Sequence, residues 1–128
     1  MTRMTMVQAL NLALHQEMEE NDDLIVLGED VGIDGGVFRV TDELFETYGE
    51  DRVVDTPLAE GAIVGMAVGM AAYGLRPVAE IQFSGFSYQA FHQIEQHVAR
   101  LRNRSQGRFS ASMVIRMPYA GGVRALEH

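Results

Sequence analysis

The sequence predicts an α/β fold in which a parallel sheet is flanked by helices. Four short apolar segments of strand length begin near residues 24, 53, 78 and 113, and a helical pattern separates each segment from the next. This alternation implies right-handed crossovers and parallel pairing of the strands. The length of 128 residues corresponds to one domain of ordinary size.

The first predicted helix begins after Thr5, because Thr5 and Gln8 have the spacing of a capping box. The apolar residues that follow at helical spacing are Val7, Leu10, Leu14 and Met18. This pattern ends in the acidic run Glu19–Asp23. The next segment, Leu24–Gly28, is continuously apolar, which is typical of a strand buried on both faces.

Glycine and proline delimit the remaining elements. Gly49 and Gly74 stop two predicted helices, and Pro118 halts the last predicted strand. In chain order we predict a short helix at Thr41–Tyr48, a strand at Val53–Asp55, a long helix at Ala59–Tyr73, a strand at Val78–Phe83, a long helix at Tyr88–Arg102 and a strand at Met113–Met117.

The composition is that of an ordinary globular protein. Hydrophobic residues make up 47% of the chain and charged residues 22%, both close to the averages for soluble domains. There is no cysteine, which excludes disulfides and thiolate metal sites. No apolar run is long enough to span a membrane, and the start lacks the pattern of a signal peptide. We therefore expect a cytoplasmic protein with no membrane partner.

The charge is negative and unevenly distributed. Of a net charge of −8, residues 1–60 contribute 15 acids and three arginines, whereas residues 61–128 contribute three acids and seven arginines. An overall negative field argues against nucleic-acid binding, which depends on neutralising phosphates. We interpret one arginine cluster as a solvated or partner-facing helix end rather than an anion site: Arg100, Arg102, Arg104 and Arg108.

Ligands of such sheets bind beyond the carboxyl ends of the strands. The loops predicted at that edge are Glu29–Gly36, Thr56–Glu60, Ser84–Ser87 and Pro118–His128. The last of these follows a strand without a closing helix, so we expect a truncated chain.

Glu60 is the first candidate in these loops. It lies at the start of a predicted helix, after the carboxyl end of a strand and beside the apolar residues Leu58, Ala62 and Ile63. Taken alone, it is equally an ordinary first-turn acid favoured by the helix dipole. Its place at the expected ligand edge makes it a candidate for acid–base chemistry.

Three glycines recur on one face of the same helix, at Gly61, Gly65 and Gly69. Each costs up to about 1 kcal/mol relative to alanine inside a helix. We therefore expect close helix–helix packing on this face, within the chain or across a subunit interface.

Other acids and histidines have alternative roles. Glu29 and Asp30 follow a strand directly and either cap loop amides or act in metal binding or proton relay. Glu80 lies inside a strand, where we expect an arginine partner. His92 and His97 are five residues apart, a poor spacing for two metal ligands on one α-helical face, so we predict no metal site. His15 is expected to face solvent.

Familiar phosphate and nucleophile motifs are missing. The loop GIDGG, Gly32–Gly36, lacks both the dinucleotide-binding spacing and the lysine of a P-loop. Ser84-Gly85-Phe86 is only a fragment of a nucleophile elbow.

Several blocks together resemble one enzyme family. They are VQALNLAL, LGEDVGIDGGVFRVTDEL, YGEDRVVDTPLAEGAIVGMAVGMAAYGLRPVAEIQFSGF and MPYAGGVRALEH. In this order they are similar to the beta subunit of two-component 2-oxo acid dehydrogenases, the thiamine-diphosphate-dependent components of the pyruvate and branched-chain complexes. The resemblance runs from about Thr5 to His128 and implies a transketolase-like pyrimidine-binding domain over residues 1–128. A C-terminal transketolase-type domain follows in relatives, so we expect an incomplete subunit.

The resemblance implies roles for five residues. Glu60 matches the carboxyl that pairs with the pyrimidine nitrogen of thiamine diphosphate and favours its imino tautomer. Leu58 would line the pyrimidine pocket, and Phe86 would stack on the ring. Glu29 matches a proton-relay acid between paired active sites. His128 matches an active-site histidine near the substrate and the lipoyl sulfur.

The resemblance also implies partners. The family's GDG…N signature, which binds diphosphate and Mg²⁺, is absent here because Ile33 precedes Asp34-Gly35, and in relatives it lies on an alpha subunit. We expect an alpha2-beta2 tetramer, with the glycine face near subunit contacts. It would decarboxylate a 2-oxo acid oxidatively and transfer the acyl group to the lipoyl acyltransferase core of the complex.

Two other interpretations stay open. One is the pyrimidine domain of a transketolase-like or deoxyxylulose-phosphate-synthase-like enzyme, which predicts a diphosphate domain on the same polypeptide. The other is a truncated, non-catalytic chain that acts at most in subunit association. The sequence leaves the choice of 2-oxo acid and potassium binding open.

Overall fold

A parallel four-stranded sheet forms the centre of the molecule. The computed structural model describes residues 3–122 and 124. The strands are β1 (Leu24–Gly28), β2 (Val53–Asp55), β3 (Arg76–Glu80) and β4 (Val114–Arg116), in the spatial order β2-β1-β3-β4. In the register, Val26 of β1 lies opposite Val53 on one side and Val78 on the other. The predicted α/β class with parallel pairing is confirmed.

Helices cover both faces of this sheet. They are α1 (Met6–Glu20), α2 (Leu44–Tyr48), α3 (Glu60–Tyr73), α4 (Ser87–Gln93) and α5 (Leu101–Arg104), with a 3₁₀ turn at Ser84–Phe86 and a π-helical segment at Ile94–Val98. The predicted capping box begins α1, since the Gln8 amide donates to Thr5 Oγ1 at 3.2 Å and the Thr5 amide donates to Gln8 Oε1 at 2.9 Å. Within the described residues, no helix is long and apolar enough to cross a membrane.

The hydrophobic core consists of one layer on each face of the sheet. On the α1 and α2 face the buried residues are Met18, Leu24, Val26, Val31, Leu44, Val53 and Val78. On the α3 face they are Leu27, Ile63, Ala67 and Ala79, continued toward α4 by Val64, Ile81 and Ala90. Because neighbouring strand residues point to opposite faces, the continuous apolar run of β1 supplies both layers.

Some boundaries differ from the predicted ones. The helix predicted at Thr41–Tyr48 begins only at Leu44, because Glu43 has a left-handed backbone with φ of 63°. The strand predicted to reach Phe83 ends at Glu80, and the chain then turns into the 3₁₀ segment. The long helix predicted at Tyr88–Arg102 is divided into α4, the π-helical segment and α5. The strand predicted at Met113–Met117 is one residue shorter at each end.

Gly28, the last residue of β1, allows the strand end to lie against its neighbours. A Cβ atom there would lie 2.7 Å from the Glu80 carbonyl oxygen and 3.0 Å from Cγ1 of Val31. We expect Gly28→Ala to lower the free energy of unfolding in urea by about 2 kcal/mol, the usual scale of overpacking. Gly69→Ala is the matched control, because a Cβ at Gly69 meets nothing within 4 Å. Equal stability of the two variants would contradict this account.

Candidate functional site

The carboxyl ends of β1 and β2 bring two acids from different loops together. Glu29 follows β1, and Glu60 is the first residue of α3, after the loop that leaves β2. Their exposed fractions are only 7% and 5%. The negative charge of Glu60 is close enough to act on Glu29. Both predicted acids therefore lie in one buried cluster at the ligand edge of the sheet.

Glu29 is the electrostatically unusual member of this cluster. Burial raises the pKa of its carboxyl above the ordinary value of 4.5, and the charges of Glu60 and Asp30 raise it further. Its Oε1 atom is buried and has no hydrogen-bond partner within the described part of the chain. A carboxyl of this kind retains a proton more readily than an exposed glutamate and has an oxygen available for a ligand.

The raised pKa of Glu29 makes stability depend on pH with a definite sign. Folding disfavours the charged form of Glu29. The folded protein therefore becomes less stable as pH rises from about 4.5 through the raised pKa of this carboxyl in the folded state. We expect the unfolding free energy of Glu29→Gln, relative to wild type, to increase over that window and then level off. Denaturant titrations at several pH values measure this difference.

The matched control for this titration is Glu50→Gln, which removes one charge from an exposed loop position. We expect its stability relative to wild type to lack the rise seen with Glu29→Gln. A flat pH profile for Glu29→Gln would contradict the raised pKa.

Asp55 holds the loop that carries Glu29. It ends β2, and its carboxylate accepts backbone hydrogen bonds from Gly32 at 2.7 Å and Ile33 at 3.3 Å. A further hydrogen bond holds the same loop, because Gln82 Nε2 donates to Asp30 Oδ2 at 2.7 Å. Capping of loop amides was one of the alternatives predicted for Glu29 and Asp30, whereas Asp55, which accepts these amides, was not predicted. An acid at the last position of a strand, before a candidate loop, was the available signal.

A buried ion pair joins the ends of β3 and β4. The predicted arginine partner of Glu80 is Arg116, which lies opposite it in the sheet and contacts its Oε2 through Nη2. The side chains are 2% and 16% exposed. The other oxygen, Glu80 Oε1, is buried near Gly36 of the β1–α2 loop. This pair therefore anchors the end of β4, two residues before Pro118.

The two predicted ring-binding residues lie in different environments. Phe86 ends the 3₁₀ turn, is half-buried, and meets Phe83 edge-to-face at a centroid distance of 5.7 Å. It also packs against the core cluster of Val64, Ile81 and Ala90. Leu58 is 78% exposed, so the residues that the structure describes do not enclose it.

The histidines are distributed differently from the prediction. His128 lies outside the described residues. The prediction that His15 faces solvent is wrong, because it is half-buried, with its ring 5.9 Å from that of Tyr48 and its Nε2 3.4 Å from the Asp42 carbonyl oxygen. His92 and His97 have ring centroids 5.7 Å apart, closer than an α-helix would place them.

The glycine face of α3 packs against α4 at its first two positions. A Cβ at Gly61 would lie 3.1 Å from the Gln89 carbonyl oxygen, and one at Gly65 would lie 3.6 Å from Cδ of Gln93. Gly69 faces open space. Close helix packing within the chain is confirmed for Gly61 and Gly65, and the subunit contact at this face stays a prediction.

Comparison with known proteins agrees with the observed α/β fold. The family model described as "Transketolase, pyrimidine binding domain" matches residues 2–128. The chain is 55% identical over 128 residues to the pyruvate dehydrogenase E1 component subunit beta of Acholeplasma laidlawii, covering 100% of this chain and 39% of that protein. The pyruvate dehydrogenase E1 component subunit beta of Staphylococcus epidermidis (strain ATCC 12228 / FDA PCI 1200) is 54% identical over 127 residues, 99% of this chain and 39% of its own length.

A branched-chain relative is nearly as similar. The 3-methyl-2-oxobutanoate dehydrogenase subunit beta of Mycobacterium tuberculosis (strain ATCC 25618 / H37Rv) is 52% identical over 125 residues, 98% of this chain and 36% of that protein. The chain thus spans less than two fifths of the length of these relatives. On the match over residues 2–128, the chain belongs to the transketolase pyrimidine-binding domain family.

Proposed function

We propose that the chain is the pyrimidine-binding part of the beta subunit of a two-component 2-oxo acid dehydrogenase. The observation that carries this proposal is the buried cluster of Glu29 and Glu60 at the carboxyl edge of a family-matched sheet. The names of relatives at 52–55% identity support the pyruvate or branched-chain class of substrate. The substrate and the place of residues 1–128 in a longer subunit belong to this proposal.

The residues at this edge fit the pyrimidine end of thiamine diphosphate. Glu29 Oε1 and Thr56 Oγ1 are buried atoms without a hydrogen-bond partner in the described residues. Both atoms are therefore available for hydrogen bonds to a ligand. When bound, thiamine diphosphate supplies the electron sink for loss of carbon dioxide from a 2-oxo acid. Glu60 would hold the pyrimidine nitrogen by a carboxyl hydrogen bond, while Phe86 and Leu58 would contact the ring with apolar atoms.

The chain's own contribution is to hold and move protons. Glu60 is buried at the start of α3, where its carboxyl is kept away from water. In that position it would share a proton with a ring nitrogen of the bound cofactor. The raised pKa of Glu29 supports the role proposed for that residue, a proton-relay acid near Glu60. His128 remains a proposed active-site histidine near the substrate.

Assembly is the remaining part of the proposal. An alpha subunit would supply the diphosphate and Mg²⁺ site in an alpha2-beta2 tetramer, as the similarity to E1 beta subunits implies. The tetramer would deliver acyl groups to a lipoyl acyltransferase core. We propose the cytoplasm as its location on the basis of composition.

Reconstitution tests the function directly. A full-length subunit containing this sequence is combined with its alpha subunit, and carbon dioxide release is measured with pyruvate and with 3-methyl-2-oxobutanoate. We expect thiamine-diphosphate-dependent release only when both subunits are present. Release by the beta subunit alone, or no release from either acid by an assembled tetramer, would overturn the proposal.

A further inference from the structure

The π-helical segment Ile94–Val98 brings His92 and His97 together. Residues five apart on an α-helix are separated by about 140° around the axis. In the π-helical segment the Ala99 amide donates to the Ile94 carbonyl oxygen, five residues earlier, at 3.0 Å. Widening the turn in this way places residues five apart on nearly the same side. The two imidazole rings accordingly approach edge-to-face, with centroids 5.7 Å apart and planes at 75°.

We propose that His92 and His97 form a binding site for a divalent transition-metal cation such as Zn²⁺, Ni²⁺ or Cu²⁺. A metal ion about 2.1 Å from an imidazole nitrogen lies roughly 3.2 Å from the ring centroid. Two rings that share one ion must therefore have centroids less than about 6.4 Å apart. The observed 5.7 Å satisfies this limit.

The surroundings select the class of cation. Imidazole nitrogen ligands favour Zn²⁺, Ni²⁺ and Cu²⁺ over Mg²⁺ and Ca²⁺, which prefer oxygen ligands. The neighbouring carboxylate of Glu95 is not free to add oxygen ligands, because it is engaged by Arg100 and Gln96. In the described part of the chain, no group of three or more histidine, cysteine or acidic residues lies close enough to hold a metal. Water must then complete the coordination of an ion on this pair.

The histidine pair is open to solvent and lies on elements other than those of the acid cluster. His92 is exposed and His97 is half-buried, so solvent reaches one side of the pair. The pair lies on α4 and the π-helical segment, whereas Glu29 and Glu60 lie at the ends of β1 and β2. Metal binding can therefore be measured without any decarboxylation assay.

The test is a competition titration of Ni²⁺ and Zn²⁺ between a chromogenic chelator and the untagged full chain. We expect His92→Gln and His97→Gln each to weaken binding at least tenfold. His15→Gln is the matched control, because His15 lies on α1 and contacts Tyr48 and the Asp42 carbonyl oxygen. We expect it to bind like wild type.

Three outcomes would overturn the proposal: no binding by wild type, unchanged binding by His92→Gln, or an equal loss in His15→Gln. Circular dichroism checks that the variants are folded. Because His92 is exposed, its replacement leaves the packing intact and decides the question even if His97→Gln fails to fold.

Discussion

Glu60→Gln is expected to lower the turnover number of the reconstituted enzyme by a factor on the order of 10²–10⁴, the usual contribution of a positioned acid–base group. Glutamine has nearly the same shape as glutamate but cannot exchange a proton at the same oxygen. Since Glu60 is only 5% exposed, water cannot readily take its place. The measurement is carbon dioxide release at saturating thiamine diphosphate and 2-oxo acid.

Glu46→Gln is the matched control for this loss. Glu46 also lies in the first turn of a helix, α2, but it is exposed. We expect its variant to retain wild-type turnover, and we expect both variants to assemble with the alpha subunit in a size measurement. Full turnover in an assembled Glu60→Gln enzyme would exclude the proposed role of this carboxyl.

Arg116→Met is expected to have the largest effect on stability. Removing one partner leaves the buried carboxylate of Glu80 without its opposite charge, which typically costs about 3–5 kcal/mol. The side chain of Glu80 is 2% exposed, so solvent compensates little of this loss. Urea unfolding of the chain gives the change in free energy.

A double variant separates the pair from its individual groups. We expect Glu80→Leu combined with Arg116→Met to recover most of the stability, because apolar side chains can replace a buried ion pair at little net cost. Arg108→Met, at an exposed position, controls for the loss of one positive charge and is expected to be nearly neutral. A double variant as unstable as the sum of both single variants would show that the pair is not energetically coupled.

The elements with local signals could be predicted closely from the sequence. The bounds of β1 and β2 agree with the prediction, because an apolar run ends sharply at polar residues in each case. The capping box likewise marks the start of α1. The π-helical segment was not predictable in this way, because Ile94–Val98 has the same apolar and polar composition as an ordinary helical turn. The left-handed backbone of Glu43 also has no local sequence signal.

The candidate site was predictable where strand topology determines proximity. Glu29 and Glu60 lie together because parallel strands bring their following loops to one edge. The hydrogen bond from the Gly32 amide to Asp55 joins residues that are 23 positions apart. Hydrophobic periodicity does not predict such a contact. Leu58 is 78% exposed among the described residues, so strand topology alone does not predict its surroundings.

The order of the strands has a consequence for what a bound ligand does mechanically. From β1 the chain passes to β2 at one side, and it then crosses β1 to reach β3, so the sheet has a topological switch point between β1 and β3. The segment after β1 leads to α2 on one face, whereas the segment after β3 leads to α4 on the other. A ligand bound in the crevice at this switch point, as proposed above, would therefore contact segments that belong to both helical layers.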